Sequence, residues 1–144
     1  MTDSEGLIAE IGQGLLIYLG IGPADDEAAA YHLAGRLANM RIFSDSVGRM
    51  NRSLLDVSAA ALVVSQFTLF ADLSHGHRPS FSAAGGPERA RELCSLTVSA
   101  LRLAGVNQVS EGRFGSHMQV ESNNDGPVTI VVSSAEGPWQ ANCG

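Results

Sequence analysis

The sequence predicts a single domain that combines β-strands with two main helices. Its 144 residues are enough for one hydrophobic core. Apolar residues recur at helical spacing in residues 26–39 and 87–104, and short apolar runs bounded by glycine or proline lie around these segments. No repeat or linker interrupts the chain. We therefore expect the domain to span residues 1–134 and residues 135–144 to form a flexible tail.

The composition excludes several classes of protein. No apolar run approaches the ~20 residues that span a bilayer, and the acidic N-terminus is not a signal peptide, so we expect a cytoplasmic protein without a membrane partner. Cys94 and Cys143 are expected to be reduced thiols. All 9 basic residues are arginine, which excludes a Schiff-base lysine and a Walker lysine. The net charge of -6 disfavours broad, non-specific binding of nucleic acid.

The first half of the chain contains a predicted hairpin and a predicted helix. Residues 7–11 and 15–19 are apolar runs on either side of a Gly-Gln-Gly turn, a pattern typical of hairpins. A helix is predicted over residues 26–39, because acidic residues precede one apolar stripe at helical spacing. Residues 41–43 are predicted to be extended, residues 44–48 to turn, and residues 50–57 to be irregular or weakly extended.

The second half contains the most apolar predicted strand and the second helix. The strand covers residues 61–69, and the helix begins at Pro87 and ends before Gly105. Residues 106–114 are a further strand candidate. Residues 118–121 and 128–133 are predicted to be paired strands on either side of an Asn-Asp-Gly-Pro turn.

Polar residues near the end of the strand over 61–69 indicate a candidate site. Ser65, Gln66 and Thr68 interrupt an apolar β-branched run, and a buried polar group costs free energy unless it is paired. The pattern fits a strand that leaves the core and presents its end to a pocket. The alternative is a strand end whose hydroxyl groups cap a turn.

Two other chemistries can be drawn from the same region. Ser65 with Asp72 and either His75 or His77 suggests a serine hydrolase, but the G-x-S-x-G nucleophile motif is missing. His75 and His77 with His117 suggest a metal site, but no carboxylate or cysteine lies at a recognised spacing. Solvated loop histidines are the favoured interpretation, and no metal is expected.

Gly126 and Pro127 form a second unusual stretch. Proline removes a backbone donor where a hairpin would use it, and a bond before proline can be cis. Because Gly126 has no side chain, a ligand could approach its carbonyl closely. An ordinary edge turn is the alternative.

Together the two stretches resemble the D-aminoacyl-tRNA deacylase family. Its S-Q-x-x-L motif matches residues 65–69 and its N-x-G-P-[VT] motif matches residues 124–128. Segments between them also match, and the similarity covers roughly residues 11–133. The resemblance implies a homodimeric α+β fold built on a curved, mostly antiparallel sheet or barrel. It implies hydrolysis of the ester between a D-amino acid and the 3' end of tRNA, with glycine mischarged on tRNA-Ala also accepted, and no cofactor.

The resemblance also implies roles for individual residues. Four residues form the floor of the catalytic pocket: Ser65, Gln66, Phe67 and Thr68. Gly126 and Pro127, joined by a cis bond, enter the pocket of the partner subunit and leave no room for an L side chain. Met118 lies on the adenosine side, and Asn124 belongs to the substrate-binding loop. Either Thr68 attacks the ester or the 2'-hydroxyl of the RNA assists. The residues favour the second, because Thr68 has no evident base beside it.

The N-terminus departs from the family pattern. Relatives begin with a strand of the type Q-R-V-x-x-A-x-V, whereas here residues 1–6 precede Leu7 and include no arginine. The first family strand is therefore expected to be missing, either because the start codon is misplaced or because the chain is a shortened paralogue. This departure motivates an alternative function, that of a shortened non-catalytic paralogue that binds RNA or dimerises.

Overall fold

The computed structural model describes residues 1–134, which form two helices and seven short strands. In chain order the elements are β1 (Thr2–Asp3), β2 (Gly6–Leu7), β3 (Gly14–Leu19), α1 (Glu27–Asn39), β4 (Phe43–Ser44), β5 (Met50–Arg52), β6 (Ala60–Ser65), a 3-10 turn (Phe67–Phe70), α2 (Pro87–Leu103) and β7 (Val109–Glu111). The predicted tail over residues 135–144 lies outside the described residues. Within residues 1–134, no helix combines the length and apolar character that crossing a bilayer requires.

Both predicted helices are confirmed. The side chain of Asp26 caps α1 by accepting a hydrogen bond of 2.8 Å from the backbone N–H of Ala29. Proline occupies the first position of α2, where its missing N–H would have no intrahelical partner. Local signals in the sequence therefore set where each helix begins.

The central sheet is parallel, with the order β3-β6-β7. The expectation of a mostly antiparallel sheet is wrong for these three strands. The connection from β3 to β6 and the connection from β6 to β7 each contain a helix, and such crossovers return the chain in the same direction. Antiparallel pairing is confined to β1 with β2, β4 with β5 and isolated bridges within residues 1–134, and none of the three sheets there closes into a barrel.

The predicted hairpin over residues 7–19 is also wrong. β3 begins at Gly14 and pairs with β6 rather than with residues 7–11. The backbone explains this glycine: a methyl group there would overlap the carbonyl oxygen of Ala60 and lie 2.7 Å from its carbonyl carbon. Gly14 thus permits close approach of two parallel strands, whereas the sequence had predicted that this glycine forms a turn.

The hydrophobic core lies between one face of the sheet and both helices. Successive strands added in the same direction place both crossover helices on the same side. Fully or almost fully buried side chains from β6 and from both helices meet there: Ala34, Ala61, Val63, Leu93, Val98 and Leu101. Cys94 belongs to this core, and burial raises the pKa of its thiol to about 11.

The C-terminal part of the described chain has little regular structure. Gln119 forms an isolated bridge with Thr2, but no strand forms over residues 118–121 or 128–133. The pair of strands predicted there is therefore wrong. Nearby, Arg113 forms an ion pair of 2.8 Å with Asp3 and a second one with Glu5, which connects this segment to the β1–β2 hairpin.

Candidate functional site

The first candidate stretch lies where β6 leaves the core. Residues 60–64 are buried, Ser65 is half-buried, and the strand gives way to the 3-10 turn after Gln66. The prediction that the strand continues to Leu69 is wrong, but the prediction that it leaves the core near Ser65 is confirmed. The N–H of Gln66 donates to the carbonyl of Leu19 over 2.8 Å, so the turn starts beside the end of β3. The carboxyl ends of parallel strands are where open sheets usually form their sites.

The polar side chains of this stretch bind each other. The carboxamide of Gln66 donates a hydrogen bond to the hydroxyl of Thr68. A carboxamide does not titrate, so this contact cannot remove a proton from the threonine. The arrangement holds the hydroxyl in place without activating it as a nucleophile.

An aromatic pair forms the outer wall of the turn. Phe67 is 59% exposed, and its ring meets that of Phe81 edge to face, with 5.1 Å between the centroids. Such pairs contribute about 0.5–1.5 kcal/mol beyond the burial of their area. Phe81 received no role from the sequence, because a pair that joins distant residues leaves no periodic signal.

The histidine loop does not form a catalytic triad with Ser65. Nδ1 of His75 lies 2.8 Å from the hydroxyl of Ser74, and the carboxylate of Asp72 accepts a hydrogen bond of 2.8 Å from the Ser74 N–H. This backbone bond, and then the Ser74 side chain, lower the pKa of Asp72. The side chains of Asp72 and His75 thus stabilise the local turn around Ser74. In the described part of the chain, no three His, Cys, Asp or Glu side chains are grouped to hold a metal ion.

The second candidate stretch is an exposed loop closed by its own asparagine. The bond between Gly126 and Pro127 is cis, and Gly126 has a φ of +130°. Oδ1 of Asn124 accepts a hydrogen bond of 3.0 Å from the N–H of Val128, and its amide donates to the hydroxyl of Thr129 over 3.1 Å. Residues 121–127 are all exposed. Asn124 therefore shapes the loop, and Gly126 and Pro127 stand at the surface.

Only the end of the first stretch, Leu69 and Phe70, lines the same cavity as the second stretch. This broad cleft has a volume of about 2460 Å³, and its lining includes Leu16, Leu62, Asn124 and Gly126. Residues 65–68 do not line it, and neither does Met118. Met118 instead lies against the backbone near Gly112, where an added methyl group would be 3.0 Å from its sulfur.

Comparison with known proteins identifies relatives over almost the whole chain. The family model described as D-Tyr-tRNA(Tyr) deacylase matches residues 2–133. A protein of Roseiflexus sp. (strain RS-1) named D-aminoacyl-tRNA deacylase is 56% identical over 135 residues, which cover 94% of this chain and 86% of the relative.

Solved structures share the fold. A protein named c-Myc DNA Unwinding Element Binding Protein superposes with a TM-score of 0.83 at 34% identity, over 90% of this chain and 87% of the other. A probable eukaryotic D-amino acid tRNA deacylase gives a TM-score of 0.66 over 74% of this chain and 77% of the other, and its 18% identity supports the fold alone. On these matches, the chain belongs to the D-Tyr-tRNA(Tyr) deacylase family.

Proposed function

We propose that this protein hydrolyses the ester that joins a D-amino acid to the terminal ribose of tRNA, and so removes D-amino acids before they reach translation in the cytoplasm. The family match over residues 2–133 carries the proposal. The exposed turn at the end of β6 supports it, because polar and aromatic groups converge there at the edge of the sheet.

The proposed chemistry rests on positioning and not on an activated side chain. Ser65, Gln66, Phe67 and Thr68 line the floor of the pocket, and Met118 borders the adenosine. The 2'-hydroxyl of the RNA assists hydrolysis, and backbone N–H groups near the floor stabilise the oxyanion. The contact between Thr68 and the carboxamide of Gln66 supports this assignment, because neither group supplies a base.

Stereochemical selection is proposed to occur in a homodimer. Gly126 and Pro127 of one subunit enter the pocket of the other, where the backbone excludes an L side chain; glycine, which has no side chain, passes the same filter. The exposure of residues 121–127 supports a contact between subunits. Phe67 and Leu69, 59% and 58% exposed, offer apolar surface for the partner.

The direct test is deacylation of D-Tyr-tRNA and L-Tyr-tRNA by the purified full chain. We expect rapid release of tyrosine from the D-ester and release at the buffer rate from the L-ester, since selection acts on the configuration of the Cα atom. Size-exclusion chromatography of the same sample reports whether the protein is a dimer. Turnover of both esters at equal rates would contradict the proposed selection.

The rival function is binding of nucleic acid without hydrolysis. It is motivated by the name of the structural relative, c-Myc DNA Unwinding Element Binding Protein. The net charge of -6 counts against it. A folded dimer that shifts uncharged tRNA or duplex DNA in a gel, but leaves D-Tyr-tRNA at the buffer rate, would favour the rival and exclude the hydrolase.

Thr68→Ala is expected to retain most of the activity. Because the 2'-hydroxyl of the substrate assists the reaction, loss of the threonine hydroxyl should reduce kcat by less than about tenfold, or ~1.4 kcal/mol in the barrier. Single-turnover rates on D-Tyr-tRNA measure this, and Ser99→Ala, at an exposed position of α2, serves as a control for the removal of another hydroxyl. A loss to the buffer rate with an intact fold would make Thr68 the nucleophile.

A further inference from the structure

The 3-10 turn is held to the protein body by the ring of its last residue. Phe67 and Leu69 are exposed, whereas Phe70 is half-buried and packs against the loop over residues 20–22, which follows β3. Hydrogen bonds within the turn connect the two ends: the N–H of Leu69 donates to Gln66 over 3.3 Å and that of Ala71 donates to Thr68 over 3.1 Å. In a turn this short, a displacement of Phe70 moves Thr68 as well.

Two glycines surround the ring. A methyl group at Gly20 would lie 3.0 Å from Cε2 of Phe70, and one at Gly22 would lie 3.0 Å from Cζ and 3.1 Å from Cε1. Contacts this close require the neighbouring group to move by a few tenths of an ångström. Gly20 and Gly22 therefore form a closely fitting seat for the phenyl ring, which we call the glycine cradle.

The glycine cradle is itself firmly held. Oδ2 of Asp25 accepts a hydrogen bond of 2.7 Å from the N–H of Gly22. The carbonyl of Ile21 accepts one of 2.8 Å from Gly85, just before α2, and the hydroxyl of Ser134 donates to the other oxygen of Asp25 over 3.0 Å. A loop tied to Gly85 and, through Asp25, to Ser134 cannot yield easily to a larger side chain. A change in the cradle is therefore transmitted to the ring.

We propose that Phe70 is a positioning residue for the pocket floor and that the glycine cradle sets its place. The ring touches no proposed substrate group. It fixes the turn so that Gln66 and Thr68 keep the alignment that the reaction requires. This inference rests on the proposed function for its effect on turnover, but its geometric part can be tested without substrate.

A pair of substitutions tests the contact. The methyl group of Gly22→Ala would press on the ring of Phe70, while the nearest atom of Asp25 lies at an ordinary 3.4 Å. Leucine at position 70 lacks the Cζ and Cε atoms that this methyl group would meet. The double variant Gly22→Ala/Phe70→Leu should therefore relieve the crowding. Gly20 suits the test less well, because its methyl group would also lie 3.3 Å from the backbone oxygen of Gln66.

We expect Phe70→Leu to suppress the defect caused by Gly22→Ala. Gly22→Ala should lower kcat on D-Tyr-tRNA about fivefold with little change in KM, since a misplacement of 1 Å can cost about 100-fold and the shift here is a few tenths. The double variant should regain the kcat of Phe70→Leu alone. Gly35→Ala, in α1 where an added methyl group meets nothing within 4 Å, is the matched control and should keep the wild-type kcat.

An NMR measurement separates this inference from the proposed function. The methyl resonance of Thr68 should shift in Gly22→Ala and match that of Phe70→Leu in the double variant, with no substrate present. Two results would overturn the positioning role. The Thr68 resonance could be unchanged in Gly22→Ala, or the double variant could show the same shift as Gly22→Ala alone. Absence of wild-type turnover together with the expected pattern of resonances would leave the positioning role standing and reject the hydrolase.

Discussion

Gly126→Ala is expected to lower kcat/KM on D-Tyr-tRNA by about 100-fold while the protein remains folded. Gly126 has a φ of +130°, a conformation that L residues rarely adopt. A methyl group there would also lie 2.7 Å from Cγ2 of Val128 and 3.1 Å from its backbone nitrogen. The loop must therefore move, and a displacement near 1 Å at a site that orients substrate costs about 100-fold.

Gly6→Ala is the matched control for this substitution. Its φ of +117° is similar, but an added methyl group meets nothing within 4 Å. We expect both variants to lose a similar amount of thermal stability and only Gly126→Ala to lose turnover. That result would assign the loss of turnover to the loop that contains Gly126. Circular dichroism and kcat/KM for both esters measure the two properties. Full turnover and full D-selectivity in Gly126→Ala would mean that this loop does not contact the substrate.

Gly14→Ala is expected to have the largest effect on stability. The added methyl group would overlap the Ala60 carbonyl, and neither group can avoid the other because both belong to the backbone pairing of β3 with β6. Crowding in a packed interior lowers the free energy of unfolding by about 1–3 kcal/mol. Because the overlap here is with backbone atoms, we expect a loss of ~3 kcal/mol. For a domain of this size we expect the melting temperature to fall by roughly 10 °C.

Gly12→Ala provides the control, because an added methyl group there meets nothing within 4 Å. Thermal unfolding of both variants at one protein concentration makes the comparison, since association would make the melting temperature depend on concentration. Equal melting temperatures for Gly14→Ala and the wild type would show that β3 and β6 pair in a different register.

The sequence predicts the helices better than the strand pairing. Asp26 and Pro87 act within one turn of each helix start, so their effects can be read locally. Pairing of strands depends on partners far along the chain. Gly14 shows the difference: a glycine between apolar runs looks the same whether it forms a turn or admits a neighbouring strand.

The candidate site was predictable in part. Polar residues in an apolar run correctly indicated that the chain leaves the core near Ser65. The 3-10 turn that follows and the contact between Phe67 and Phe81 were not predictable, because both depend on packing between segments distant in sequence. The assignment of Ser65 to Thr68 and of Met118, Asn124, Gly126 and Pro127 to one functional pocket stays a prediction.

The parallel order of the central sheet has a consequence for how the protein folds. One helix and a β-hairpin separate β3 from β6, and α2 separates β6 from β7, so each pairing closes a long loop. Such non-local pairing makes folding slow, and the edges of unpaired strands remain open to association meanwhile. On the ribosome the sheet cannot be completed until Val109–Glu111 has left the exit tunnel. The nascent chain therefore carries the apolar β6 strand without its final neighbour at least while residues 66–111 are being made.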